Sequence, residues 1–206
     1  MHKNPHDPFV HLDFDSPENQ LTGKSNRVLF PGLETTNWFR NMSEEKRKLF
    51  AFDLLMAKIQ KGAAMEMGLV RGALRLCLDQ DHEGNKQRGL LMMGTEEFRH
   101  GTFWFEALKR APGNRKPYGV AFKCKLFFID LLYWCSPSTY LACQLAGELG
   151  GGAHFDIVAR APDGEYPLLI QRMLRIHGIE EKRHIVMCRE LLKERLREKP
   201  WLFRLR

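Results

Sequence analysis

Two lone glutamates and two histidine-bearing motifs recur along this chain with the symmetry of paired helical hairpins. The first half carries Glu66 and, further on, Glu97 and His100 in an ExxH spacing. The second half carries Glu148 and then His177, Glu181 and His184 in an HxxxExxH spacing. On an α-helix, residues i, i+3, i+4 and i+7 share one face, so each motif points its side chains the same way. The midpoint of Glu66 and Glu97 falls between Asp81 and His82, inside the polar segment Asp79 to Asn85. The midpoint of Glu148 and Glu181 falls between Gly164 and Glu165, inside a second turn-rich segment. Each glutamate therefore stands about 16 residues, or roughly 24 Å of helix, from its turn. Two antiparallel hairpins built this way would bring four Glu and three His to one layer of a bundle core.

The residue types select a chemistry. Two divalent ions carry four positive charges, which four carboxylates balance, and imidazole nitrogens suit iron better than magnesium or calcium. Without metal, four buried carboxylates would repel one another and lose their hydration. Glu66 is the only acidic residue between Asp53 and Asp79, amid Ala63, Ala64, Met65, Met67 and Gly68. Glu148 is the only one between Asp130 and Asp156, beside Gly147 and the run Gly150-Gly151-Gly152, which either ends a helix or opens space beside the metal. Glu97 rather than Glu96, and Glu181 rather than Glu180, have the motif spacing. A helical bundle in which two helices give one Glu each and two give Glu-x-x-His forms a carboxylate-bridged di-iron or di-manganese centre.

Helical periodicity fills the space around these residues. Ser43 reads as an N-cap with Glu44 and Glu45 in the first turn, and apolar residues then run from Leu49 to Leu78, with a break expected near Gly62. Further helices are expected from about Lys86 to Arg110, from Val120 to Trp134, from Ser136-Pro137 through Glu148 toward Arg160, and from about Pro167 to Leu196. Ala111 to Pro117 and Ala161-Pro162-Asp163-Gly164 read as turns. No stretch alternates with period two, so the expected fold is all-α. Residues 1–34, rich in Pro, Asn, Asp and Gly, read as an extended N-terminal arm, and residues 35–206 as a single di-iron helical-bundle domain. Met65, Met67, Met92, Met93, Phe98, Phe103 and Trp104 read as core by default, with the lining of a substrate channel as the alternative. His2, His6, His11 and His82 read as solvated, and His154 as an ordinary packing histidine.

Composition removes other classes. The 206 residues suffice for a sizeable core, and 44% hydrophobic with 28% charged residues is ordinary for a globular protein. Five scattered cysteines without a CxxC pair imply reduced thiols. The start MHKNPHDPF has no apolar segment of a secretory signal, which implies a cytoplasmic protein. The net charge of +7 comes largely from Lys and Arg beyond residue 181, interleaved with Glu180, Glu181, Glu190, Glu194 and Glu198. Alternation of that kind marks a solvated helix face, and no nucleic-acid motif accompanies it, so no nucleic-acid partner is expected. A basic rim would instead attract an acidic substrate or a redox partner. Residues 131–147 carry no formal charge but are too short for a transmembrane span, and read as a buried core helix.

The seven residues resemble the ligand set of the p-aminobenzoate N-oxygenase family of non-haem di-iron enzymes, within the ferritin-like superfamily. There an extra histidine turns the last ligand helix into HxxxExxH, as in His177, Glu181 and His184 here. The family's ExxH matches Glu97 to His100, and its two lone glutamates match Glu66 and Glu148, over about residues 45–195 of a chain shorter than typical members. The resemblance implies a ferritin-like bundle and two iron ions (Fe2+/Fe3+, with manganese an allowed substitute) as cofactors. It implies O2 as co-substrate, and N-oxygenation of an arylamine-type substrate through a peroxo-diferric intermediate. Glu66, Glu97, Glu148 and Glu181 would bridge or chelate, and His100, His177 and His184 would supply neutral nitrogens. The partners expected are a small-molecule substrate and an external electron donor such as a reductase or ferredoxin, with a homodimer allowed. Rival readings are a di-iron hydroxylase, desaturase or decarbonylase of an apolar substrate, a ferritin-like iron-oxidising or storage protein, and a metal-stabilised structural bundle.

Overall fold

The computed structural model of the chain describes residues 12–78, 84–113 and 120–198. A single helical turn, α1 (Asn37–Arg40), precedes five long helices: α2 (Glu44–Leu78), α3 (Asn85–Arg110), α4 (Val120–Cys135), α5 (Pro137–Arg160) and α6 (Leu168–Glu198). Among the described residues the only β pairing is an isolated bridge between Asp163 and Tyr166, so the fold is all-α as the periodicity implies. The caps are those the sequence names. Ser43 Oγ accepts the Lys46 N–H, and Ser136 Oγ accepts the Thr139 N–H ahead of Pro137. No helix among the described residues is long and apolar enough to cross a membrane. His2, His6, His11 and His82, with the first hairpin midpoint, lie outside the described residues.

Three expectations need correction. Helix α2 runs unbroken through Gly62, whose missing side chain leaves room for Phe155 and Trp104. Of the two readings left open for the Gly150–Gly152 run, the helix end is excluded, because the run lies inside α5, which continues to Arg160 as expected. Residues 131–147 are not buried throughout, because Leu131 and Trp134 of α4 stand exposed, Trp134 by 77%. Met92 and Phe98 are also exposed, whereas Met93, Phe103 and Trp104 are core.

The chain divides into two compact units, with each of α2, α3, α5 and α6 passing from one to the other. The first comprises residues up to Ala63, Thr102–Pro117 and Ala153–Gly178. Phe52, Leu55, Met56 and Ile59 of α2 form a buried stripe at helical spacing. It meets Phe103, Trp104, Ala107 and Leu108 of α3, Val158 of α5, and Leu169, Ile170, Met173 and Leu174 of α6. Leu12, Leu21 and Leu29 of the N-terminal segment join this core, and that segment pairs with the turn after α5. There Asn26 and Arg27 N–H donate to Glu165 O, and Tyr166 Oη donates to Val28 O. Buried Gln171 donates through Nε2 to the carbonyls of Val158, Ala161 and Pro162, satisfying acceptors that the end of α5 leaves open. His154 packs edge-on against Phe30, an ordinary packing role.

The second unit comprises Ala64–Gly101, Tyr118–Gly152 and residues from Ile179 onward. Its apolar core is smaller, with Ala73, Leu76 and Cys77 of α2, Leu90 and Met93 of α3, Tyr133 of α4, Tyr140 and Leu141 of α5, and Cys188 and Leu191 of α6. Beside it lies a cluster of buried polar side chains that no apolar core would hold for packing alone. Burial separates two tryptophans for test. Trp104→Ala should cost about 3–5 kcal/mol in urea denaturation, while Trp134→Ala should stay within about 0.5 kcal/mol of the parent chain.

Candidate metal centre

Helix spacing delivers the buried groups to common depth. Glu66 stands twelve residues before the end of α2 and Glu97 twelve after the start of α3. Glu148 stands twelve before the end of α5 and Glu181 thirteen after the start of α6. In the second unit, Glu66, Glu97, His100, Glu148, Glu181 and His184 are all buried, Glu97 and His100 completely. His100 Nδ1 lies 3.2 Å from Glu181 Oε1, 3.5 Å from Glu97 Oε2 and 3.8 Å from Glu66 Oε2. His184 Nδ1 lies 2.9 Å from Glu97 Oε1 and 3.5 Å from Glu181 Oε1. Glu97, His100, Glu181 and His184 each present one candidate ligand atom, all within 4.8 Å of one another, and Glu66 meets His100 and Glu181 within the same span. Gly101 faces α2 closely, since a Cβ there would overlap the terminal methyl of Met67 and reach ordinary contact with Glu66. His177 belongs to the first unit. It is buried, its ring lies 5.3 Å from Trp104 and 5.6 Å from Phe155, and α6 carries it one turn before Glu181.

The outer edges of both imidazoles in the second unit are held crosswise. His100 Nε2 lies 2.9 Å from Glu180 Oε2, and Arg99 donates to the other oxygen of that carboxylate. His184 Nε2 lies 2.9 Å from Glu96 Oε2, and Arg183 donates to Glu96 Oε1 at 2.6 Å. Helix α3 thus supplies the carboxylate behind the histidine of α6, and α6 the one behind the histidine of α3. Burial would raise the pKa of Glu96, but hydrogen bonds from His184 and Arg183 outweigh it and hold it below the usual carboxylate value. His100 and Arg99 do the same for Glu180. An ionised carboxylate only accepts, so each Nε2 must donate, and a neutral ring then turns its Nδ1 lone pair toward the inner carboxylates. Lone pair facing carboxylate is repulsive unless a cation lies between them. Orienting a ligating histidine through a carboxylate is how protein metal sites fix the ring and its tautomer.

The inner carboxylates carry the strain. Burial first, then the charges of Glu66 and Glu181, push Glu97 up to about 8. Burial and contact with Glu181 push Glu148 far above the usual range. Burial alone would lower His184, but its hydrogen bonds to Glu181, Glu96 and Glu97 hold it at about 11. Nitrogen and oxygen donors spaced about 3 Å apart suit an ion bonded to each at roughly 2.0–2.2 Å. The donor set fits a pair of divalent transition-metal ions, with iron and manganese both compatible.

The outer residues Glu96, Arg99, Glu180 and Arg183 were not singled out as functional by motif spacing, and Glu180, read as part of a solvated face, is fully buried. A signal for them is present in the chain. Glu96-Glu97-Phe98-Arg99-His100 and Glu180-Glu181-Lys182-Arg183-His184 are two copies of one EExRH pattern.

Comparison with known proteins places these features in a family. The family described as P-aminobenzoate N-oxygenase AurF matches residues 1–205. Uncharacterised proteins of Mycobacterium tuberculosis and Mycobacterium bovis are each 23% identical over 192 residues, covering 92% of this chain and 56% of their own length. The chain therefore spans little more than half of these relatives. No solved structure matches it.

Two outcomes test the electrostatics. Raised pKa values at Glu97 and His184 mean that protonation of both favours the folded metal-free protein. Their contribution is complete below the ordinary values of 4.5 and 6.5 and is lost as pH rises through about 8 and about 11. Chelator-treated protein should accordingly show a lower urea midpoint at pH 9 than at pH 6, and two equivalents of divalent ion should remove the difference. Glu180→Gln and Glu96→Gln should each weaken metal binding about 10–100-fold, measured by competition with a chromophoric chelator.

Proposed function

The chain belongs to the p-aminobenzoate N-oxygenase family of di-iron oxygenases, and from that membership and its buried centre we propose that it is an O2-dependent oxygenase acting on the nitrogen of an amine. The observation that carries the reading is the clustering of Glu66, Glu97, His100, Glu181 and His184, whose facing nitrogen and oxygen atoms must share either protons or metal ions. In this reading Glu66, Glu97, Glu148 and Glu181 hold two iron ions as bridging or chelating carboxylates. His100 and His184 bind through Nδ1. His177, four residues before Glu181 on α6, supplies the third imidazole. Iron, when bound, supplies the redox chemistry with O2.

The protein's part is positioning and exclusion. Glu96 and Glu180 fix the two rings through Nε2 and leave Nδ1 as the nitrogen that a metal would take, and Arg99 and Arg183 hold those carboxylates ionised. Complete burial of Glu97 and His100 keeps bulk water from the reacting centre. The smallest balanced reaction converts an amine, O2, two electrons and two protons into a hydroxylamine and water. The electrons require an external donor, a reductase or ferredoxin, which the basic surface charge would attract.

The test uses iron-loaded protein given O2, a chemical reductant and an arylamine, with products read by mass spectrometry. Hydroxylamine, nitroso or nitro products are expected, and His177→Ala should lower both iron content and product at least ~10-fold. Iron that is oxidised and accumulates in large numbers per chain would identify an iron-storage protein instead. Two bound irons with no O2 consumption after reduction would identify a structural centre.

A further inference from the structure

The outward sides of α3 and α6 in the second unit meet in an open groove of about 530 Å3. Met92 of α3 and Val186, Met187 and Leu191 of α6 give it an apolar wall, and Met92 and Val186 stand exposed by 49% and 57%. Charge surrounds the groove unevenly. Among residues 179–197 of α6, Glu180 and Glu181 are buried, whereas Lys182, Arg189, Lys193 and Arg197 are exposed. These bases stand at i, i+7, i+11 and i+15, which is one face of the helix. The acids beside them are already engaged, Glu194 with Lys86 at 2.8 Å and Glu190 with Lys193 at 2.7 Å. The charges of Lys182, Arg189 and Arg197 remain in excess. The interleaved pattern of Glu with Lys and Arg therefore does not cancel at the surface, because carboxylates of the same helix are withdrawn into the metal centre.

The groove lies directly outside one side of the metal centre. Arg183 lines it, keeps 44% of its side chain exposed, and donates to Glu96 at 2.6 Å. Glu96 in turn holds His184 Nε2 at 2.9 Å. Two hydrogen bonds thus connect the groove wall to a ring whose inner nitrogen faces Glu97 and Glu181. Other occupants fit this face less well. A second copy docked face to face would set like charges opposite one another. A bilayer surface is flat and would leave the hollow between two helices unfilled. An apolar centre inside a charged rim is the anatomy of a protein interface, and the sign of this rim calls for an acidic partner.

We propose that the groove between α3 and α6 docks an acidic one-electron donor protein of the ferredoxin class, which reduces the metal centre from the side of Arg183, Glu96 and His184. The proposal rests on the oxygenase reading for the need of electrons, but the docking itself does not. One electron passes per encounter, from the reduced iron–sulfur cluster of the donor to one ferric ion, leaving the cluster oxidised and the ion ferrous. Two encounters supply the two electrons that hydroxylamine formation consumes, and no bond to the protein forms or breaks. A small apolar floor inside a basic rim suits such a transient encounter, because electrostatic steering sets its rate while the limited contact lets the donor leave.

Docking is read on the iron-loaded protein without O2, by isothermal titration with a plant-type ferredoxin, and reduction by rapid mixing with the same ferredoxin in its reduced form. Binding should weaken at least ~10-fold between ~10 mM and ~150 mM salt. Lys182→Glu and Arg189→Glu should each weaken it about 10-fold at low salt. Lys61→Glu, the same charge change at an exposed position of the first unit, should alter it by less than about 2-fold. Met92→Ser, which changes no charge, should weaken binding about 3-fold. Reduction by ferredoxin should slow in step in Lys182→Glu and Arg189→Glu, while iron content and reduction by dithionite stay unchanged. Absence of binding at low salt, unchanged binding in Lys182→Glu and Arg189→Glu, or an equal effect of Lys61→Glu overturns the proposal. So does a loss of iron that accounts for the slower reduction. A dimer that Met92→Ser dissociates assigns the groove to a second copy and overturns it as well. Capture by phosphatidylserine–phosphatidylcholine vesicles that the charge reversals abolish, with ferredoxin binding unaffected, assigns the face to a membrane with the same result. Ferredoxin that binds and reduces the iron without any amine being oxidised upholds the docking surface and counts against the N-oxygenase reading. Amine oxidation driven by ferredoxin equally well in Lys182→Glu and the parent chain overturns the docking surface alone.

Discussion

Four carboxylates share a region that water does not reach, and the local structure follows from that constraint. Bare, they would repel and would forfeit the hydration that makes a carboxylate stable. The chain answers in two layers. Inside, Glu97 and Glu148 are driven toward their protonated forms, a state that a pair of divalent ions would replace. Outside, Glu96 and Glu180 stay ionised because an arginine and a histidine meet each of them. Carboxylates of the same type therefore do opposite work a few ångströms apart, and environment alone distinguishes them.

The crosswise pairing also links α3 to α6. A slip of either helix by one residue would remove Glu96 from His184 and Glu180 from His100 together, leaving buried charges unpaired. Such a penalty specifies register more sharply than apolar contact, which tolerates sliding. The residues that orient the rings and the residues that align the helices are thus the same four.

Helix α5 extends the same physics along its own length. Tyr140, Gln144 and Glu148 follow one another at i, i+4 and i+8, a single buried stripe leading to the carboxylates. Polar atoms withheld from water recur along it, at Tyr140 Oη, Gln144 Oε1 and Glu148 Oε1.

The helices and their caps were legible in the chain, because Ser43, Ser136 and Pro137 act on their immediate neighbours and apolar periodicity is a local property. The gathering of Glu66, Glu97, His100, Glu148, Glu181 and His184 was legible too, because equal distance from a turn places two residues at equal depth in any helical hairpin. What lies across a helix pair was not. Glu180 alternates with lysine and arginine, which by pattern belongs on a solvated face, yet rotation of α6 turns it inward behind His100. The apolar run over residues 131–147 reads as buried, yet Leu131 and Trp134 of α4 stand exposed. Sequence by itself determined which residue types recur at which helical spacing, since that depends on one helix at a time. Only the tertiary structure decided which carboxylate stands behind which histidine and which apolar face remains open, since both depend on how two helices rotate against each other.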